Sequence, residues 1–302
     1  MERLKRNVES KIERLLDIFP VVVILGARQV GKTTLCQRLK PNWHYFDLHN
    51  PEHQDLILRD PVAFFSNYPK DVIIDEAQEN DILLKTLRGV VDSHREIKGR
   101  FLLTGSSSPA LLHKASETLA GRVAIVDLGP MKANERYQQP LSSLYNIFFE
   151  PNKAFEILSD SPPQLTKQEM LTSWLIGGFP EPTLTYTPDS FEQWMSHYFS
   201  TYIQTDVARL FPRMKKHIFQ RFVRMLGHLN GTIVNKRDLG RSLEVNEKTI
   251  AEYINIATGT FLWRSLLSYH SQLPKALIKM PKGYLRDTGL LHYLLRIRSY
   301  DE

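Results

Sequence analysis

A chain of 302 residues, 42% hydrophobic and 24% charged, has the composition of a globular protein with a full core and room for more than one domain. No window approaches 18 uninterrupted apolar residues, so neither composition nor pattern suggests a membrane span. The net charge of +6 is mild, and the single cysteine, Cys36, excludes an internal disulfide and fits a reducing cytoplasm.

Residues 1–19 alternate charges with Leu, Val and Ile at helical spacing and have no apolar signal core, which predicts an N-terminal helix and no secretion. From 20 to 130 short apolar runs alternate with polar or helical stretches. VVVIL (21–25), WHYFDL (43–48), DVIID (71–75), RFLLTG (100–105) and RVAIVDL (122–128) read as strands. The pattern predicts an α/β unit: a parallel sheet with helices on both faces and its chemistry at the carboxyl ends of the strands. Cys36 reads as a small core residue on the first helix after VVVIL.

After Pro130 the alternation stops. Residues 131–215 read as a helical lid or linker, with a turn at GGFPEP (177–182) and an aromatic-rich helix in FEQWMSHYFSTYIQTDVARLF (191–211). From 216 the order changes again. HIFQRFVRMLGHL (217–229) is amphipathic, with Phe219, Phe222, Val223, Leu226 and Leu229 on one face. NKRDLGRSL and NEKTIAEYINIAT read as two short helices around a tight turn, and GTFLWRSLLSY (259–269) as a β-ribbon packed through Trp263 and Tyr269. This is the order of a winged helix-turn-helix over 216–302, which the sequence could end before completing. Asn246 is the expected N-cap of its second short helix, with Ile250 and Ile254 inward and Lys248, Glu252 and Asn255 outward. Between Thr205 and Ser242 nine Lys or Arg stand against Asp206 and Asp238 alone. That surplus suits DNA phosphates, and it equally suits a solvated helix pair.

The most informative string is GARQVGKT, a complete G-x-x-x-x-G-K-[ST] between a buried-type strand and a helix. Backbone N–H groups of such a loop point at phosphates, assisted by the helix N-terminus. Gly26, Ala27, Arg28, Gln29, Val30, Gly31, Lys32, Thr33 and Thr34 are therefore the expected nucleotide contacts. Lys32 would reach the β- and γ-phosphates and Thr33 would ligate Mg²⁺. Arg28 fits a nucleotide contact or a cover for the loop. VIIDEAQ (72–78) delivers two carboxylates to the same rim, with Asp75 for the metal and Glu76 as catalytic base. FLLTGSSS places Thr104 and Ser106 beside them, for the γ-phosphate or lytic water, or as an ordinary Ser-rich turn. Arg122 in LAGRV fits either a residue acting on a neighbouring subunit's nucleotide or a surface salt bridge.

In this order GARQVGKTTL, VIIDEAQ, FLLTGSSS and LAGRV resemble a prokaryotic group of AAA-type ATPases. GGFPEP, TYIQTDV and PKGYLRDTGLLHYLL resemble the uncharacterised carboxyl-terminal domain that accompanies it. The resemblance implies an AAA+ core, a sensor position near Ser106, an arginine finger at Arg122 and a winged helix in the second half. Such chains often continue into a region resembling restriction endonucleases; these 302 residues supply no nuclease site, and no second sensor arginine stands out after Pro130. The expected function is Mg-dependent ATP binding and hydrolysis coupled to a change of shape, acting on or beside DNA, in a cytoplasmic protein that can self-assemble. The alternative is an ATP-gated signalling or defence switch with little turnover, its winged helix contacting protein.

Overall fold

The computed structural model describes residues 4–106, 119–185, 187–208, 211–269 and 280–300. Ser107, Ser108 and Arg209, named in the motifs above, lie outside them. Five strands form one parallel sheet: β1 (Val21–Gly26), β2 (His44–Asp47), β3 (Val72–Asp75), β4 (Phe101–Ser106) and β5 (Val123–Asp127), in the order β2-β3-β4-β1-β5. Each falls within a segment read as a strand or overruns it by one residue. The reason is visible in the two faces. Val21, Val23 and Leu25 of β1 enter one apolar cluster with Phe101, Leu103, Val72 and Ile74, while Val22 and Ile24 enter the other with Leu102 and Ile73. A strand buried on both sides needs apolar residues at every position, and that is what a run such as VVVIL records.

Three of the helices on the two faces begin at side-chain caps. α1 (Glu9–Ile18) packs beneath β1 through Ile12 and Leu16, and α2 (Lys32–Leu39) follows β1 directly. α3 (Pro51–Arg59) and α4 (Pro61–Asn67) each carry Pro in the first turn and an Asx cap, Asn50 and Asp60. α5 (Asp81–Asp92) is capped by Asn80. Cys36 is buried, as its apolar surroundings required.

Beyond β5 the chain is helical: a short α6 (Ala133–Arg136), 3₁₀ turns at Ser143–Phe148 and Pro151–Lys153, then α7 (Ala154–Ser159), α8 (Lys167–Ile176), α9 (Pro180–Leu184) and α10 (Pro188–Thr201). α10 continues as a π-turn over Tyr202–Val207. GGFPEP is thus only half a turn, because Pro180 starts α9. Next come α11 (Lys216–His228), α12 (Lys236–Leu243) and α13 (Glu247–Gly259), a two-stranded antiparallel ribbon, and α14 (Thr288–Leu295). Phe219, Phe222, Val223 and Leu226 of α11 are buried, Asn246 caps α13, Ile250 is buried and Ile254 partly so, and Lys248, Glu252 and Asn255 face solvent.

The ribbon differs from the expected one. GTFLWRSLLSY supplies only β6 (Trp263–Leu266); its partner β7 is Lys282–Leu285, and Ile233 adds a single bridge to Lys282. Trp263 is fully packed, but Tyr269 is 97% exposed, so the expected packing holds for Trp263 alone.

One apolar cluster runs without a break from Ile12, Val22 and Val126 through Phe179, Met195 and Tyr198 to Phe219, Phe222, Ile250 and Trp263. The boundaries drawn at 130 and 215 therefore separate sequence patterns but not cores. Phe222, fully buried at the middle of this cluster, should cost about 3–5 kcal/mol when replaced by Ala. Denaturant unfolding followed by near-ultraviolet circular dichroism and by tryptophan fluorescence checks this, and the two probes should shift together because the core is shared.

Candidate functional site

The phosphate loop leaves β1 at Gly26 and enters α2 at Lys32. Gly31 has φ +90°, a left-handed conformation open to glycine at little cost, and a Cβ on Gly26 would lie 2.3 Å from the Leu128 carbonyl oxygen. Gln29 takes a left-handed φ of 61° without being glycine. Lys32 is 5% exposed and folds over its own loop, its Nζ donating to the carbonyls of Gly26 (3.1 Å) and Ala27 (3.0 Å). Burial lowers the pKa of its ammonium, against the opposing pull of Glu76 and Asp75.

Register brings the other groups to this rim. Gly26 pairs with Ser106, and β4 lies between β1 and β3, so Thr104 stands between the loop and Asp75. The Asp75 carboxylate accepts from Thr33 Oγ1 (2.5 Å), Tyr45 Oη (2.9 Å) and Thr104 Oγ1. Tyr45, on β2, was not foreseen, and burial next to Asp75 raises the pKa of its phenol. Thr33 and Asp75 are hard oxygen donors already in contact. Among the described residues no group of three His, Cys, Asp or Glu could hold a metal ion. One carboxylate and one hydroxyl suit Mg²⁺, which binds few protein ligands and keeps water and substrate phosphates, so the residues fit that ion.

Glu76 follows in a left-handed conformation, φ 55° and ψ 44°. An acidic side chain seldom adopts it, and such strain gathers at functional positions. Ser106 Oγ donates to Glu76 Oε2 (2.7 Å), as do Gln78 Nε2 and the Ser106 amide, while the Glu76 amide donates to Thr104 Oγ1 (3.3 Å). Burial opposes ionisation of Glu76. The hydrogen bonds from Gln78 and Ser106 and the charge of Lys32 together outweigh it, leaving the carboxyl below its ordinary value.

A cleft of about 920 Å³ opens over the loop. Arg28, Gln29, Gly31, Lys32, Thr33, Thr34 and Glu76 line one side; the other holds Met131, Pro180, Glu181, Leu184 and Trp194. The second wall was not foreseen in the sequence, where GGFPEP read as a plain turn. Phe179 and Tyr198 back it through contacts with Trp194, whose ring stacks on Tyr198 at 5.1 Å. The wall is fastened from both sides: Met131 N donates to the Gly178 carbonyl (2.7 Å), and Gly178 N donates to Asp287 (2.8 Å). Asp287 is itself the N-cap of α14, accepting from Leu290 N, and burial raises the pKa of its carboxyl against those hydrogen bonds.

Arg6 was also missed, for it belongs to no motif. Its Nη1 donates to the Val30 carbonyl (2.9 Å) and its Nη2 to the Gly129 carbonyl (2.8 Å), while Nε pairs with the buried Glu135 at 3.1 Å. Arg6, just ahead of α1, thus braces the phosphate loop against the residues that follow β5. Arg122 is absent from this rim. It precedes β5 at the edge opposite the loop, with Nε and Nη2 on Asp92 (2.6 and 3.1 Å) and Nη1 on the Ala120 carbonyl. Its hydrogen bond and that of Arg95 hold the Asp92 carboxyl down to about 2. Within its own protomer Arg122 takes no part in the site.

A parallel sheet with a glycine loop after β1, an acidic pair after β3 and hydroxyls on the strand between them defines a P-loop nucleotide-binding domain. Residues 19–137 match the family model described as an AAA domain, so this part of the chain is an AAA-type P-loop ATPase domain; residues 167–301 match a domain of unknown function (DUF8612). Uncharacterised proteins of Mycobacterium bovis and Mycobacterium tuberculosis are each 32% identical to the chain over 295 residues, 97% of its length and 60% of theirs. The chain spans about three-fifths of these relatives. Among solved structures, a Walker-type ATPase of Pyrococcus abyssi aligns over 97% of this chain and 96% of its own with a TM-score of 0.52 at 13% identity, a likeness of fold.

Replacing Arg6 by Ala should leave Glu135 buried without its cation, costing about 3–5 kcal/mol. Arg6→Lys, which keeps the charge but cannot reach both carbonyls, should lose less stability and still weaken nucleotide binding. Thermal melts with and without ATP separate the two effects.

Proposed function

We propose that the protein binds Mg-ATP at this rim and hydrolyses it. Gly26, Ala27, Arg28, Gln29, Val30 and Gly31 would cradle the phosphates, with Lys32 on the β- and γ-phosphates and Thr34 beside the α-phosphate. Thr33 and Asp75 would hold Mg²⁺, which when bound neutralises charge on the phosphate oxygens. The base would lie against Pro180, Leu184 and Trp194, the apolar wall of the cleft. In the reaction water attacks the γ-phosphorus, the bond to the β,γ-bridging oxygen breaks, and ADP and phosphate leave. Glu76 orients that water and takes its proton; Ser106 and Thr104 hold Glu76 and Asp75 at the right spacing. The observation that carries the reading is the Glu76 carboxyl, tethered by Ser106 within the cleft that Lys32 and Thr33 also line.

The same contact also favours a second reading. Glu76 Oε2 is taken up by Ser106 and Gln78, so that oxygen must turn toward the cleft before it can act on water. An ATP-gated switch with little turnover would keep it turned away. In either case the partner would meet α11–α13 and the β6–β7 ribbon, whose order supports a winged helix. Exposed Lys236 and Arg237 at the start of α12, with Arg221 beside the Ser242 carbonyl at its end, make DNA phosphate the favoured contact. Among the described residues no helix is long and apolar enough to cross a membrane, in keeping with a cytoplasmic setting.

Glu76→Gln should lower ATP turnover about 10²–10³-fold while leaving nucleotide affinity near that of the wild type. If wild-type turnover equals that of Glu76→Gln with and without DNA, the hydrolase reading fails and the switch reading stands. Since Glu76 ionises below the ordinary carboxylate value, its contribution to turnover should hold as pH falls to that value and decline only below it.

DNA affinity should fall with salt, and Lys236→Ala with Arg237→Ala should flatten the slope of log K against log[salt] by about 2. A slope unchanged by the double substitution would remove α12 from the DNA contact.

A further inference from the structure

Away from the phosphate loop, a second cleft of about 420 Å³ opens where the start of α10 meets the end of α14. That is the size of a site for a small organic molecule. Its floor is the outer edge of the core: Leu175 of α8, Phe191 of α10 and Leu294 of α14 are buried, and Tyr293 and Ile297 are partly so. Phe191 lies one turn before Trp194 on α10, so this cleft adjoins the helix that walls the nucleotide cleft. Among the described residues none lines both.

The rim is cationic. Arg224, Arg296 and Arg298 stand there against Asp189 and Glu192. Arg298 Nη2 donates to Glu192 Oε1 at 2.6 Å, which cancels one charge of each sign. Asp189 lies in the first turn of α10, where the helix N-terminus favours a carboxylate. Arg224 and Arg296 are exposed, and among the described residues neither makes a hydrogen bond or an ion pair. Helix packing brings these two together. A Cβ on Gly227 would stand 3.5 Å from Leu294 Cβ, with Arg224 one turn before Gly227 on α11 and Arg296 just beyond Leu294. Arg296 ends α14 in a left-handed conformation, φ 63°, a place usually held by glycine or asparagine. After Arg298 the chain runs along α8 away from the cleft. Tyr300 Oη meets Gln168 Nε2 (3.3 Å) and Thr172 Oγ1 (2.9 Å), two turns and one turn before Leu175.

We propose that this cleft binds a small amphipathic anion, its apolar body on Leu175, Phe191, Tyr293 and Ile297 and its carboxylate or phosphate head in the forks of Arg224 and Arg296. Burial of the body supplies affinity, and the two guanidinium groups set the orientation and the sign of the charge accepted. A neutral molecule of the same shape keeps only the first contribution, and a bare anion only the second. The site stands apart from the nucleotide reading and needs no nucleotide to form.

Isothermal titration calorimetry of the full chain, without nucleotide or DNA and with each ligand at up to about 1 mM, tests it. Octanoate or octyl phosphate should saturate one site per chain, and the tighter of the two names the head group. Octanol has the chain without the charge, while acetate and inorganic phosphate have the charge without the chain. Each of these should bind at least about tenfold more weakly. Arg224→Met with Arg296→Met should weaken binding of the anion at least about tenfold. Its melting temperature should stay near that of the wild type, since both side chains are exposed. A wild type that takes up neither amphipathic anion, a control ligand that binds as tightly as they do, or a double variant that binds like the wild type overturns the proposal. If the wild type takes up neither anion and the double variant loses affinity for DNA, the two arginines belong to a DNA contact and the proposal fails as well.

Discussion

The site depends on one carboxylate. Asp75 ends β3 at 4% exposure and accepts hydrogen bonds from three hydroxyls carried by three other elements: Tyr45 of β2, Thr33 of α2 and Thr104 of β4. A buried carboxylate without donors would favour its neutral form. With three it stays where the sheet puts it, and in turn fixes the hydroxyls around it. The relative positions of the phosphate loop, the acidic pair and β4 follow from that single side chain as much as from the backbone ladder. A polar cluster satisfied in this way keeps the carboxylate at the rim where a metal and a phosphate would meet it, while each hydroxyl can still turn about its own single bond.

A second carboxylate, far away in sequence, sets the opposite wall of the cleft. Asp287 caps α14 and takes the Gly178 amide, so the turn that leads into Pro180 is tied to the strand end at Leu285, two residues earlier. Met131, just past β5, ties the same turn to the ATPase sheet. Residues 177–184 are therefore held between the sheet and the carboxyl-terminal unit. The apolar cluster from Ile12 to Trp263 says the same in packing terms, since it runs from the sheet into the carboxyl-terminal unit.

What was legible in the sequence divides along physical lines. The five strands, the phosphate loop and the acidic pair were readable because each imposes a local requirement: apolar residues at every position of a doubly buried strand, glycine where φ is positive or a carbonyl comes close, carboxylates straight after a strand. The helices α10 to α13 were readable from their periodicity and from caps such as Asn246. β7 was not. Lys-Gly-Tyr-Leu has neither alternation nor β-branched residues, and its pairing is set by Trp263, far earlier in the chain, whose indole lies where a Cβ on residue 283 would sit. Arg6 and Asp287 were illegible for the same reason. Each is an ordinary charged residue in its own segment, and its role comes from carbonyls and amides delivered by distant parts of the chain. The Pro180 wall lies in between, since proline at the first position of a helix is a start signal that the turn reading of GGFPEP passed over.

The two buried carboxyl groups also differ in what they permit. Asp75 is surrounded by hydroxyls, which can exchange one acceptor for another by rotating about a single bond, so its shell can open toward a metal at small cost. Asp287 is surrounded by backbone amides, which cannot rotate away without moving the chain. Separating Gly178 from it would leave a buried N–H unsatisfied, a penalty of about 1–3 kcal/mol, and would take one donor from a buried carboxyl that keeps Leu290 N. The rim around Asp75 is therefore the part of the site able to rearrange side chain by side chain, whereas the wall around Pro180 can move only together with β7 and α14. A ligand that pressed on Pro180 or Leu184 would load the carboxyl-terminal unit directly, and one that touched only the rim would not.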